Sequence, residues 1–197
     1  MVADIVLATQ LLHFSGFIDD DVGRHGSLIL GFPVFGDARI VQQEASHSAV
    51  SIALGIGNNQ TRQKVANLCR EWGAELITVI HPTASVAPSA RIGPGTSVMA
   101  NAVINPEAII GSGVIVNTGA TIDHDAHIGD FGHVSPNASM GGASRLGSLS
   151  QLGMGAVIIE CVSVGTRTIV GAGAVVTRNI PDDVVAFGTP ARVRRAT

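Results

Sequence analysis

From Ile80 to Pro181 the chain repeats every six residues without a slip. The first place of each hexad is aliphatic, as in Ile80, Val86, Ile92, Val98 and Ile104, and stays so through Met140, Leu146 and Val176. The fifth place is small or β-branched (Ala84, Thr96, Val114, Gly132, Ser150, Ile180), and the second is Gly in eight of the seventeen hexads. An amphipathic helix returns its apolar stripe about every 3.6 residues, so this period excludes one. A six-residue period belongs to the parallel β-helix. Three short strands close one triangular coil, first-place side chains stack inward, and small residues beside the corners let the chain turn. Gly at corners supplies backbone conformations that other residues reach only with strain. Seventeen hexads make between five and six coils, enough to bury a continuous core.

Residues 1–79 have a different texture. Met1 to about Leu12 reads as a helix that buries Val2, Ile5, Val6 and Leu12, and Phe14–Ile18 as a strand ending in the acidic run Asp19-Asp20-Asp21. Leu28 to Phe35 is a short extended or turn segment. Ala49–Leu54 is a continuous apolar run of the kind found in buried parallel strands. A helix over Gln60 to about Trp72, closed by Gly73, precedes a last strand, Leu76–Val79. Alternating strands and helices predict a small parallel α/β unit. Three segments result: an α/β domain at 1–79, the hexad solenoid at 80–181 and a closing segment at 182–197.

Mean hydropathy is +0.38, yet no run of about 18 uncharged apolar residues exists to span a bilayer. The apolar residues are spaced as a solenoid core needs. No basic, apolar leader opens the chain, and Cys69 and Cys161 form no metal pattern, which points to reduced thiols in a cytoplasm. A net charge of −3 argues against nucleic acid as the main partner. The histidines lie on different faces of the solenoid, so no metal is expected.

The order Gly16-Phe-Ile-Asp-Asp20, Gly31-Phe-Pro-Val34, Ala53-Leu-Gly-Ile-Gly-Asn-Asn59 with Arg62, then Ile80-His-Pro82 and the hexads, resembles one family over nearly the whole chain. It is the hexapeptide-repeat sugar acetyltransferases, which include sialic acid O-acetyltransferases and N-acetyltransferases of UDP-4-amino sugars. The most specific stretch is Asn117 to Ser135, with Asp123-His-Asp125 at its centre. The resemblance implies a mainly β fold, a left-handed β-helix preceded by a Rossmann-like unit. It implies homotrimers with active sites between neighbours, and acetyl-CoA as co-substrate. Members usually open with a strand and a Gly-rich loop that cradles phosphates. This chain begins at what would be the following helix, so the unit reads as N-truncated: either the start is assigned too late, the favoured reading, or the acceptor is bound differently.

His124 holds the third place of its hexad, between Asp123 and Asp125, near a corner and facing outward. Gly142 stands beneath it in the same column and leaves room for a substrate. Acetyl transfer from a thioester needs a base for the attacking amine or hydroxyl, and a neutral imidazole suits that near pH 7. A neighbouring carboxylate can fix the tautomer. By resemblance His124 is the general base and Asp125 enhances its basicity, with Asp123 as the competing orienter. By the same resemblance His133, Met154, Ala172 and Gly173 contact acetyl-CoA, and Asp19, Asp20 and Gly57 contact the acceptor. The segment near Gly142 is a candidate oxyanion donor, and Arg192, Arg194 and Arg195 are candidates for CoA phosphates or an ordinary basic tail. His127 reads as surface and His81 as structural. No Cys–His pair exists, which favours direct transfer over an acyl-enzyme. The activity implied is acetylation of an amino group on a nucleotide-activated sugar. O-acetylation of a sialic acid-like sugar, or a non-catalytic scaffold, are the alternatives.

Overall fold

The computed structural model describes residues 1–9 and 13–197. The first helix, α1, spans Val2–Thr9 and buries Ala3, Ile5 and Val6; Leu12, expected on the same face, lies outside the described residues. Ile5 and Val6 pack against Val79, Met99 and Ile115. β1 (Phe17–Ile18) pairs in parallel with β3 (Phe32–Gly36), which forms a hairpin with β2 (Leu28–Ile29). The strand expected at Phe14–Ile18 shrinks to two residues. Phe14 instead sets its ring edge-on to Phe17 and Phe32, at 5.0 and 4.9 Å. α2 (Arg39–Ala45) follows.

β4 covers only Ser51–Ile52 and pairs in parallel with β5 (Glu75–Leu76). The run Ala49–Leu54 supplies the parallel strand its composition predicts, but with one partner strand Ser51 is exposed and Ile52 half-buried, while Leu54 is buried. Among the described residues the α/β unit thus holds two small sheets and not one parallel sheet. Between β4 and β5 runs α3 (Asn59–Glu71). The Asn58 side chain caps it by accepting from the Thr61 N–H at 2.9 Å, and Gly73, at φ +82°, follows Trp72 at its end. Its inner face carries Arg62, Ala66 and Cys69, at helical spacing.

The strand expected at Leu76–Val79 divides in two. Val79 already belongs to the solenoid, whose seventeen two-residue strands, β6 to β22, run from Val79–Ile80 to Val175–Val176. Each joins a sixth-place residue to the first-place residue of the next hexad. Pairing is parallel and in register, with Ile104 on Ile122 and Ile122 on Met140. This is a left-handed parallel β-helix. Its first face holds the strands starting at Val79, Ser97, Ile115, His133, Gln151 and Ile169. The second holds those starting at Ser85, Val103, Thr121, Ser139, Val157 and Val175. The third holds those starting at Arg91, Ile109, His127, Arg145 and Ser163. Every first-place side chain from Val98 to Val176 is at most 2% exposed. Burying each contributes on the order of 1.5–3 kcal/mol.

The corners differ from expectation in where glycine is needed. Left-handed backbone occurs at the fourth place, at Gly113, Gly155 and Gly173, but also at Asn101, Asp125, Phe131 and Cys161. Second-place glycines answer a different demand. A Cβ on Gly147 would lie 2.5 Å from the Gly165 carbonyl carbon of the next coil, so close stacking and not φ excludes a side chain. After the last hexad, β23 (Val184–Phe187) pairs with the strand Ile169–Val170, and β24 (Arg192–Ala196) runs antiparallel beside it. Among the described residues no helix is long and apolar enough to cross a membrane.

Candidate active site

His124 and Asp125 form the turn between the second and third faces. Asp125 adopts φ +58°, a left-handed conformation that short polar side chains tolerate. That turn brings its Oδ2 to 2.8 Å from His124 Nδ1. An ionised carboxylate can only accept, so Nδ1 carries a proton, and in the neutral ring Nε2 presents its lone pair. Asp123 does not compete for the ring. Its Oδ1 accepts from the His124 backbone N–H at 2.8 Å and from Asn105 Nδ2 at 3.0 Å. The His124 and Asp125 side chains are 61% and 60% exposed, so the pair lies at the surface of the solenoid. The Asp125 hydrogen bond, followed by the Asp123 charge, raises the pKa of His124 above its ordinary value.

Gly142 does not leave an empty space for substrate. A Cβ there would lie 2.8 Å from Cε1 and Nε2 of His124, so the room is taken by the imidazole itself. The glycine lets the Cε1–Nε2 edge of the ring approach the next coil. The Gly142 carbonyl meanwhile accepts from the Cys161 N–H.

The other sequence-proposed residues lie elsewhere on the triangle. His133 opens a strand of the first face, half-buried between its ladder neighbours Ile115 and Gln151. Asn117 Nδ2 lies 3.2 Å from its Nε2. Burial, then the charge of Arg62, lowers its pKa to about 4, so the ring is neutral near pH 7. Met154, Ala172 and Gly173 sit at the corner between the first and second faces. Met154 is exposed, and nothing lies within 4 Å of a Cβ built on Gly155 or Gly173, so a thin chain can lie against bare backbone there. This corner is not the one that carries His124.

In the α/β unit, Asp19 Oδ1 accepts from the Asp21 N–H and Oδ2 from Arg24, while Asp20 is exposed. Gly57 is exposed, and its carbonyl accepts from Arg62. His81 Nδ1 accepts from the Thr83 N–H, a local turn contact. His127 is half-buried on the third face, away from His133. Arg194 stacks over Phe187 at 5.2 Å. Among the described residues, no group of three or more His, Cys, Asp or Glu gathers as metal ligands would.

Two residues escaped the sequence reading as site residues. Asn117 partners His133 from the preceding coil. Arg62 is fully buried and ties α3 to the corner between the third and first faces. The available signal was its spacing: an arginine on one helix face with Ala66 and Cys69.

A family model, the PglD N-terminal domain, matches residues 1–68. A histidine-to-alanine variant of GDP-perosamine N-acetyl transferase from Caulobacter crescentus, solved with CoA and GDP-perosamine, is 37% identical with a TM-score of 0.93. The match covers 98% of this chain and 90% of that one. The acetyltransferase domain of PglB from Neisseria gonorrhoeae FA1090, solved with acetyl coenzyme A, is 37% identical with a TM-score of 0.91, over 98% and 92% of the two chains. A local match to galactoside O-acetyltransferase from Lactococcus lactis is 49% identical over 41 residues, 21% of this chain and 20% of that protein. The chain spans about a fifth of the length of the curated relatives it matches. Identity above one third along nine-tenths of a solved relative, on a shared β-helix, goes beyond likeness of fold. The chain belongs to the acetyl-CoA-dependent sugar acetyltransferases of the hexapeptide-repeat family.

Proposed function

We propose that the protein transfers the acetyl group of acetyl-CoA directly to an amino group of a nucleotide-activated amino sugar. The observation that supports the mechanism is the His124 Nδ1 hydrogen bond to Asp125, which leaves Nε2 of a surface-exposed ring as the basic nitrogen. The acceptor class is drawn from the solved relative bound to CoA and GDP-perosamine. In this reading the amine nitrogen attacks the thioester carbonyl while Nε2 takes its proton. The carbonyl then re-forms, the C–S bond breaks, and the imidazolium returns the proton to the CoA sulfur. Asp125 holds the tautomer and stabilises the imidazolium, as a carboxylate does beside any catalytic histidine.

His133, Met154, Ala172 and Gly173 contact the donor, and Asp19, Asp20 and Gly57 contact the acceptor. The α/β unit (1–79) serves the acceptor and the solenoid (80–181) the donor, with 182–197 as a closing segment. His124 and the Met154 corner belong to different corners of one chain, which supports a homotrimer whose sites lie between neighbours. Dependence on acetyl-CoA fits a cytoplasmic location. The local likeness to a galactoside O-acetyltransferase favours a second acceptor class, a sugar hydroxyl.

The test is release of CoA thiol from acetyl-CoA with a panel of nucleotide amino sugars, sialic acids and galactosides. Turnover with a nucleotide amino sugar, reduced about a hundredfold or more in His124→Ala, is the expected result. Turnover that survives the substitution would sink the general-base mechanism, and turnover with hydroxyl acceptors alone would replace the substrate class.

A further inference from the structure

The guanidinium of Arg62 is a cation with no exposed surface and, among the described residues, no carboxylate in ion-pair range. Burial lowers its pKa only to about 10, so it keeps its charge near pH 7. Six oxygens surround it. Nε donates to the Gly113 carbonyl at 2.7 Å. Nη1 donates to the carbonyls of Ile56 and Gly57 at 2.9 and 3.0 Å. Nη2 donates to Asn59 Oδ1 at 2.8 Å and to the carbonyls of Phe131 and Gly132 at 2.9 and 3.3 Å.

The two ends of this fork reach different parts of the protein. Ile56 and Gly57 belong to the loop ahead of α3. Phe131 and Gly132 form the solenoid corner that leads directly into His133. A buried charge of this kind is seldom the most stable way to fill a core, since well-packed apolar residues of similar volume often do as well or better. What a rigid planar fork supplies is geometry, because five N–H groups in fixed directions set two backbone segments relative to one another.

We propose that Arg62 is a positioning residue that fixes the acceptor loop at Ile56–Gly57 relative to the donor-contacting coil at Phe131–His133. The inference rests on the functional reading above, in which Gly57 and His133 serve the two substrates. It adds that one side chain sets the distance between them. A displacement of about 1 Å between reacting groups can cost about a hundredfold in rate. Loss of the fork therefore acts on kcat more than on the binding of either substrate alone.

The experiment compares wild type with Arg62→Lys and Arg62→Gln. Lysine keeps the charge but offers three donors on one atom in place of five on three, so it cannot reproduce the fork's contacts to both segments. Three quantities are measured on each folded variant. They are the affinity for CoA by calorimetry, kcat with a nucleotide amino sugar at saturation, and the His133 titration by NMR. The expected result for Arg62→Lys is CoA affinity within about threefold of wild type and kcat reduced about tenfold to a hundredfold. In Arg62→Gln the His133 titration moves up from about 4, because a positive neighbour is gone. Unchanged kcat in folded Arg62→Lys would overturn the proposal. So would a loss of activity that only tracks the unfolded fraction across temperature. Should Arg62→Gln fail to fold, the kinetic split in Arg62→Lys decides alone. Should wild type transfer nothing to amino sugars, the functional reading fails. The His133 titration then decides whether Arg62 is coupled to that residue, and an unmoved titration overturns the proposal.

Discussion

Mild acid should destabilise this protein through His133. In the folded chain the ring's pKa falls from 6.5 to about 4, first through burial and then through the Arg62 charge. In the unfolded chain the same ring returns to its ordinary value. Between the two, the unfolded state binds a proton that the folded state refuses, so stability rises with pH across that window. The contribution is complete above about pH 6.5 and is lost as pH falls toward about 4. The gap, at about 1.36 kcal/mol per pH unit, corresponds to about 3 kcal/mol. Because the ring is only half-buried, solvent screening brings the expected loss to about 2 kcal/mol. Urea unfolding of wild type and His133→Gln, in steps from about pH 7 to pH 4, reads it out. Wild type should lose about 2 kcal/mol more than the variant. Asp37, Asp123 and Asp183, whose pKa values are lowered by their own hydrogen bonds, titrate in both proteins and cancel. Parallel pH curves for the two proteins would refute the claim that His133 is held neutral by its surroundings.

Gly147→Ala forces a Cβ against backbone of the next coil and should cost about 3 kcal/mol, whereas Gly155→Ala meets open space at φ +64° and should cost about 1 kcal/mol. For a chain of this length that separates the two melting temperatures by about 4–8 °C, and equal melting temperatures would contradict the two roles assigned to glycine. In a homotrimer whose sites lie between neighbours, His124→Ala and Gly173→Trp chains, each inactive alone, should regain up to about a quarter of wild-type activity when unfolded together and refolded as mixed trimers. No recovery from confirmed mixed trimers would place the whole site within one chain.

Hexad position dictates side-chain direction, and for that reason the solenoid was legible in the sequence. Ile122 points inward and His124 outward because the backbone repeats, not because of any distant contact. The register of the ladder, Ile104 on Ile122 on Met140, follows from the same period. The reason for glycine at the second place was not legible. Strings such as Leu146-Gly147 and Leu152-Gly153 look alike whether a residue needs unusual φ or merely lacks room, and only the stacked coils distinguish them. The space beneath His124 was misread for a related cause. A column of residues shows that Gly142 is small, but not which neighbouring group occupies the space.

The α/β unit was less legible, because its strands are two to five residues long and its packing depends on contacts with the solenoid. Phe131 and Leu149, corner residues of the hexads, pack in one cluster with Leu54, Ala66 and Cys69. Arg62 reaches 51 to 70 residues along the chain for its solenoid partners, a distance no periodicity encodes. Around the perimeter the order is then the Ile56–Gly57 loop, Arg62, His133 on the first face, and the Met154 corner, with His124 beyond the second face. A single chain thus carries its acceptor and donor candidates side by side and its candidate base on another corner. The residues that the proposed reaction would bring together lie on separate corners of one β-helix, whose in-register ladders fix the spacing of those corners. Packing of a second β-helix against the first, as in the proposed homotrimer, would unite them.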